Sequence, residues 1–79
     1  MKAQVHVKLK SGVLDPQGLA ISKSLQSLGY DGIVSVRQGK VFDIEINGVD
    51  EKAAESMLKE VSSKLLANTV IEDFEVRVL

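Results

Sequence analysis

The chain begins with an alternation of apolar and polar side chains, in which Val5, Val7 and Leu9 occupy every second position between polar neighbours. A period of two is typical of a β-strand with one dry face and one solvated face. The same alternation recurs later and predicts three further strands, at Val34 and Val36, from Phe42 through Ile44 to Ile46, and from Phe74 through Val76 to Val78.

A first helix is predicted between the first two strands. Asp15 stands where a helix N-cap belongs, and Pro16 suits the first helical position. Gly29 is expected to end the helix. Its apolar positions recur at helical spacing, at Ile21, Leu25 and Leu28.

A second helix is predicted after Asp50, which is placed to cap it. Asn68 is expected to stop this helix in a left-handed conformation. The apolar stripe consists of Ala54, Met57, Leu58, Val61 and Leu65.

The loop between the second and third predicted strands sets their register. A two-residue loop would place Asp43 among the valines, so a three-residue loop of Arg37, Gln38 and Gly39 is favoured. In that loop Gly39 takes the left-handed position of a bulged hairpin, and Val34 faces Phe42.

The element order is therefore βαββαβ. It predicts an α+β, two-layer sandwich whose four-stranded antiparallel sheet has both helices on one face and the spatial order 4-1-3-2. With only 79 residues, one domain covering 1–79 is the limit. Self-association would help so small a core.

Composition excludes several classes of function. The net charge is −1, so no overall field favours nucleic acid or an anionic membrane. Cysteine is absent, which removes disulfides and thiolate metal sites. Neither a signal peptide nor a membrane-length apolar run is apparent, and a cytoplasmic protein is expected.

Few residues could carry chemistry. His6 is the only histidine, and its place on the wet face favours a solvated side chain over a metal ligand or a general base. The outward positions of the central strands hold His6, Asp43 and Glu45 and no aromatic side chain, which argues against an RNA-binding sheet. The spacing of Gly12 and Gly18 is not that of a phosphate loop. The two glycines are interpreted as giving conformational freedom to the loop before the capped helix.

Two surfaces are candidates for partner contacts. Val13, Leu14 and Leu19 either form a hydrophobic staple at the helix entrance or remain partly exposed as a docking patch. Arg37 and Lys40 flank the predicted hairpin tip, where they could bind a carboxylate or a phosphate or simply be solvated.

Four segments together resemble one protein family, the PurS subunit of phosphoribosylformylglycinamidine synthase. They are LKSGVLDPQG (9–18), LGYDG (28–32), VRQGK (36–40) and KLLANTVIEDF (64–74). The resemblance spans nearly the whole chain, with two departures: Thr69 stands where the family usually has Pro, and Phe74 where Tyr is common.

This resemblance implies a cytoplasmic homodimer or homotetramer that joins the PurL synthetase to the PurQ glutaminase and supports the transfer of ammonia. It implies no catalytic residue and no cofactor of its own, while the assembled enzyme would use ATP and magnesium. An ACT-like regulatory module, with Gly12 and Gly18 at a small-molecule site, is the alternative. A stand-alone acylphosphatase-like enzyme would need an Arg in the loop where this chain has Asp15.

Overall fold

The computed structural model describes residues 1–79 and contains three strands, two α-helices and one short π-helical turn. The strands are β1 (Lys2–Leu9), β2 (Gly39–Glu45) and β3 (Glu72–Val78); the helices are α1 (Pro16–Ser27) and α2 (Glu51–Val61); the π-helical turn is Ser62–Leu66.

The sheet has β1 at its centre, with β2 and β3 antiparallel on either side in the order β2-β1-β3. Val5 lies opposite Phe42 on one side and opposite Val76 on the other. The alternation along β1 buries Ala3, Val5 and Val7 on one face of the sheet. This is the dry face expected from the period-two pattern.

The predicted four-stranded sheet is wrong, because the segment around Val34 and Val36 pairs with no strand of the chain. The three-residue hairpin loop is wrong for the same reason: Gly39 begins β2 and does not adopt a positive φ. Phe42 faces Val5 rather than Val34. The remaining three strands have the predicted relative order.

The core lies between the sheet and α2. Ala54 and Leu58 of α2 pack with Ala3 and Ile46, and Ala67 packs with Val5 and Val7 farther along the sheet.

The predicted α2 stripe is only partly correct. Met57, Val61 and Leu65 are exposed, while Ser62 is completely buried. The row of positions four residues apart, from Ala54 through Leu58 to Ser62, therefore faces the sheet.

The expected helix boundaries mostly hold. Asp15 caps α1 with Pro16 at its first position, and Asp50 caps α2. Gly29 follows α1 with a φ of 97°, a left-handed conformation that glycine adopts without a steric penalty. The expected left-handed Asn68 is wrong, because no residue other than glycine has a positive φ.

The prediction that both helices cover one face of the sheet is also wrong, because α1 makes no substantial contact with the sheet or with α2. Residues 14–38, called the arm below, contain α1 and a return segment (residues 33–38) that runs beside it without helix, turn or bend. The chain consequently measures 50 × 24 × 14 Å. Its radius of gyration is 16.0 Å, whereas about 12 Å is usual for a compact chain of this length.

Candidate functional site

The base of the arm is held by the carboxylate of Asp15, which is almost completely buried. Its Oδ1 accepts a hydrogen bond from the N–H of Gly18 at 2.9 Å, which caps α1. Its Oδ2 accepts from the N–H of Gln38 at 2.7 Å, at the end of the return segment. One side chain thus fastens both limbs of the arm where they leave the sheet.

These hydrogen bonds favour the ionised form of the carboxylate. The N–H of Gly18, and then that of Gln38, hold the pKa of Asp15 below its ordinary value, and the positive charge of Arg37 acts in the same direction. Burial of the carboxyl group opposes the shift without reversing it. Asp15 is therefore negatively charged at neutral pH.

Gly18 allows the two limbs to approach each other closely. A Cβ at this position would lie 2.3 Å from the carbonyl oxygen of Val36 and 2.6 Å from Oδ2 of Asp15. No side chain fits between α1 and the return segment here. Gly12 differs, since a Cβ there would have nothing within 4 Å.

Arg37 does not flank a hairpin tip, because its guanidinium group binds the loop between β1 and α1. Nη1 donates to the carbonyl oxygen of Val13 at 2.9 Å, and Nη2 donates to that of Lys10 at 3.0 Å. The side chain clamps the loop that enters the arm. This contact gives Arg37 a role within its own chain that the sequence pattern did not indicate.

Lys40 is separate from this clamp. It lies in β2, where Nζ is 3.9 Å from Oε2 of Glu72 and 5.8 Å from the ring centroid of Phe42. The two basic side chains that were expected to act together therefore bind different partners.

The structure brings together two of the three predicted patch residues. Leu14 and Leu19, exposed by 71% and 44%, line one groove with Val34 and Val36 of the return segment. Val13 is half-buried and does not line this groove. The groove joins the entrance of α1 to residues that the sequence pattern had assigned to a strand.

The sheet face away from α2 is polar and uncovered. His6 lies on it, with Nε2 3.1 Å from Oε1 of Gln4, whose Nε2 donates to Asp43 at 3.0 Å. Arg77 donates to Glu75 at 2.8 Å and thereby lowers the pKa of that carboxyl group. Acidic and basic side chains are mixed on this face, so its charge has no single sign.

No group of three or more His, Cys, Asp or Glu side chains is arranged to hold a metal ion. No helix has both the length and the apolar character needed to cross a membrane.

Sequence reasoning missed one feature of the site altogether. Residues 34–37 donate and accept no backbone hydrogen bond within the chain. Their alternating pattern predicted a strand, which is wrong, because the pattern carried no information about the missing partner.

Comparisons with known proteins give one consistent result. A family model described as "PurS: Phosphoribosylformylglycinamidine (FGAM) synthase" matches residues 2–79. The subunit PurS of phosphoribosylformylglycinamidine synthase from Mycobacterium leprae is 49% identical over 75 residues, which are 95% of this chain and 91% of that protein.

Solved structures agree with this match. The structure of Bacillus subtilis PurS is 43% identical, with a TM-score of 0.86, over 96% of this chain and 94% of that one. A chain in the structure of PurLQS from Thermotoga maritima is 31% identical, with a TM-score of 0.89, over 99% of this chain and 95% of that one.

Proposed function

The chain belongs to the PurS family of phosphoribosylformylglycinamidine synthase, and we propose that within this enzyme of purine biosynthesis it joins the PurL synthetase to the PurQ glutaminase. The observation that carries the proposal is the match over 99% of the chain to a structure of PurLQS. The subunit would support the transfer of ammonia from the glutaminase to the synthetase.

We infer that the chain contributes surfaces rather than catalytic groups. Its buried carboxylate, Asp15, is occupied by two backbone N–H groups, and its only histidine, His6, contacts Gln4 on an open face. Neither side chain adjoins a candidate nucleophile. ATP and magnesium, which the assembled enzyme uses, would be bound outside this subunit, and the assembly would be cytoplasmic.

An ACT-like module is not favoured. It would use Gly12 and Gly18 at a small-molecule site, but the Val36 carbonyl group and the Asp15 side chain already fill the space beside Gly18. Glycine at this position serves the packing of the arm.

A reconstitution experiment tests the proposed function. PurL and PurQ from the same source are assayed with and without this subunit, once with glutamine and once with ammonium chloride as the nitrogen source. We expect the subunit to raise the glutamine-dependent rate at least tenfold and to leave the ammonia-dependent rate of PurL nearly unchanged. A full glutamine-dependent rate without the subunit would contradict the proposal.

The groove lined by Leu14 and Leu19 is proposed as part of the docking surface. Leu14→Ser removes an aliphatic side chain that is 71% exposed, so its cost to folding is small while its cost to an interface is larger. Leu65→Ser is the matched control, since Leu65 is 79% exposed in the π-helical turn after α2 and does not line the groove. We expect only Leu14→Ser to raise the subunit concentration that gives half-maximal glutamine-dependent activity. Equal effects of the two variants would show that the groove is not part of the interface.

We further propose that copies of the chain associate as a homodimer or homotetramer. Only seven hydrophobic residues are buried in the isolated chain, a small core for a stable domain. Sedimentation over a dilution series checks this, and a monomer at all micromolar concentrations would refute it.

A further inference from the structure

A cleft beside the loop between β1 and α1 is lined by basic and neutral side chains and by no acidic one. Its volume is about 290 Å³, and its lining residues are Lys8, Leu9, Ser11, Arg37 and Gln38. The neighbouring clefts differ, because each of them contains at least one carboxylate, from Asp15, Glu72 or Glu75. Positive charge without a lining carboxylate is the electrostatic property expected of a site for an anion.

The two cations of this cleft, Lys8 and Arg37, form no ion pair within the chain. Five of the 10 basic side chains are paired with carboxylates, and these two are not among them. Asp73 lies opposite Lys8 in the sheet, but its carboxylate is 3.6 Å from Nζ of Lys10. Two positive charges therefore line one small space whose walls supply no carboxylate to balance them.

Contacts within the chain orient both cations before any ligand binds. The hydrogen bonds from Arg37 to the carbonyl oxygens of Val13 and Lys10 use two of its N–H donors and leave three. Lys8 lies opposite Gly39, where a Cβ would be 2.9 Å from Cγ of Lys8. The missing side chain at Gly39 thus leaves room for the stem of Lys8 against the start of β2. Oriented side chains lose less conformational entropy when a ligand binds.

Neutral hydrogen-bond donors complete the lining of the cleft. The backbone N–H and the hydroxyl group of Ser11 have no partner within the chain, and neither has the side-chain amide of Gln38. The negative charge of Asp15 acts on Arg37. However, both oxygens of Asp15 already accept backbone N–H groups, and its side chain does not line this cleft. An anion in the cleft would therefore meet an ammonium, a guanidinium, a hydroxyl and an amide group.

We propose that this cleft binds a phosphate group, either as the free ion or at the end of a small phosphomonoester. A phosphomonoester carries a charge of about −1.5 to −2 at neutral pH, which two cations balance better than they balance the single charge of a carboxylate. Guanidinium groups donate directed hydrogen bonds to phosphate oxygens. The volume of about 290 Å³ lies at the lower end of the range for small-molecule sites. A polyanion is not the expected ligand, because the net charge of the chain is −1.

Titration of the full chain, followed by the NMR signals of its backbone amides, locates the site. The probes are inorganic phosphate, ribose 5-phosphate and acetate, added at constant ionic strength in sodium chloride. We expect saturable shifts at Ser11, Gly12 and Gln38 with both phosphate compounds, and at least fivefold weaker binding of acetate. Tighter binding of ribose 5-phosphate than of inorganic phosphate would identify a phosphomonoester as the ligand, and equal binding would identify the free ion. Acetate that binds as tightly as phosphate would overturn the proposal.

Lys8→Gln tests the contribution of one cation without disturbing the fold, since Lys8 is exposed and unpaired. Lys2→Gln is the matched control: it makes the same charge change on the same strand and the same sheet face, but Lys2 lines a cleft with Asp43 and Glu45. We expect Lys8→Gln to raise the dissociation constant of inorganic phosphate roughly threefold to fivefold, with an unchanged melting temperature. Lys2→Gln should leave the dissociation constant nearly unchanged. Equal effects of the two variants would show a general attraction of anions and would refute the cleft as the site.

These outcomes are independent of the proposed function, because the titrations use this chain alone. A natural chain that shows no saturable shift with either phosphate compound would refute the phosphate site and leave the subunit role standing. Reconstitution of glutamine-dependent activity with PurL and PurQ tests the subunit role by a separate readout. Failure of that reconstitution together with saturable phosphate binding that Lys8→Gln weakens would refute the subunit role and leave the phosphate site standing.

Discussion

The carboxylate of Asp15 accepts a hydrogen bond from the backbone N–H of Gln38 at 2.7 Å, across 23 positions of the sequence. Because the same carboxylate caps α1, the start of the helix and the end of the return segment are fixed to one side chain. The direction in which the arm leaves the sheet thus depends on Asp15.

Replacing Asp15 by Ala should destabilise the arm more than loss of a helix cap alone. The change removes both hydrogen bonds, and we expect the melting temperature to fall by roughly 4 to 8 °C or more. Asp50→Ala is the control, since Asp50 makes only a cap bond, to the N–H of Ala53 at 2.8 Å. Hydrogen exchange should quicken at Gly18 and Gln38 in Asp15→Ala only; equal behaviour of the two variants would contradict a role in holding the arm.

The stability of the protein should depend on the ionisation of Asp15 in acid. Its pKa in the folded chain lies below the ordinary value of 3.8, so the carboxylate stabilises the fold fully above the unfolded-state pKa. That contribution is lost as the pH falls from about the ordinary value through the folded-state pKa. The stability advantage of the natural chain over Asp15→Asn, measured by urea unfolding, should be constant near neutral pH and shrink below pH 3.8. The pKa of Glu75 is also lowered, but Glu75 is present in both proteins, so its contribution cancels in the stability difference. A stability difference that stays constant down to pH 2 would refute the assignment to Asp15.

Gly18→Ala should be destabilising although alanine is the better helix former. The added methyl group would lie 2.3 Å from the Val36 carbonyl oxygen, and forcing α1 away from the return segment should cost about 1 to 3 kcal/mol. Gly12→Ala, whose methyl group meets nothing within 4 Å, should be nearly neutral. Thermal melts of both variants test this, and equal stability of the two would show that the arm can open at no cost.

Arg37→Ser should loosen the entry loop, while Lys40→Ser should change stability little. The first variant loses two hydrogen bonds to the carbonyl oxygens of Val13 and Lys10, a cost of about 1 to 2 kcal/mol. The second loses only an exposed ion pair at 3.9 Å, worth less than about 1 kcal/mol. Urea unfolding provides the comparison. Loss of assembly with PurL and PurQ in Lys40→Ser, without loss of stability, would instead show that Lys40 contacts a partner.

Ser62→Ala should stabilise the fold. The hydroxyl oxygen of Ser62 is completely buried and has no hydrogen-bond partner, so its removal should recover about 1 kcal/mol of desolvation cost. Ser63→Ala, next to it on the exposed side, is the control. A lower melting temperature for Ser62→Ala would indicate that the hydroxyl group is satisfied in solution.

Local signals in the sequence were sufficient for the features that depend on neighbouring residues. The alternation in β1, the caps at Asp15 and Asp50 and the left-handed Gly29 each follow from a few consecutive side chains. Family membership was also accessible, because four segments spread between Leu9 and Phe74 resemble the family, and the family model matches residues 2–79. These features need no knowledge of what packs against them.

Only the tertiary structure decided the features that depend on a distant partner. The pattern at Val34 and Val36 predicts extended backbone, but a strand needs a second strand to pair with, and this chain supplies none for it. Gly39 is required by the approach of β1, since a Cβ there would lie 2.7 Å from the Val7 carbonyl oxygen, and not by a turn. The carbonyl oxygens that accept hydrogen bonds from Arg37 likewise lie more than twenty positions away in the sequence. Periodicity records which side of a segment is apolar, whereas the position of α1 away from the sheet is set by contacts that the pattern does not encode.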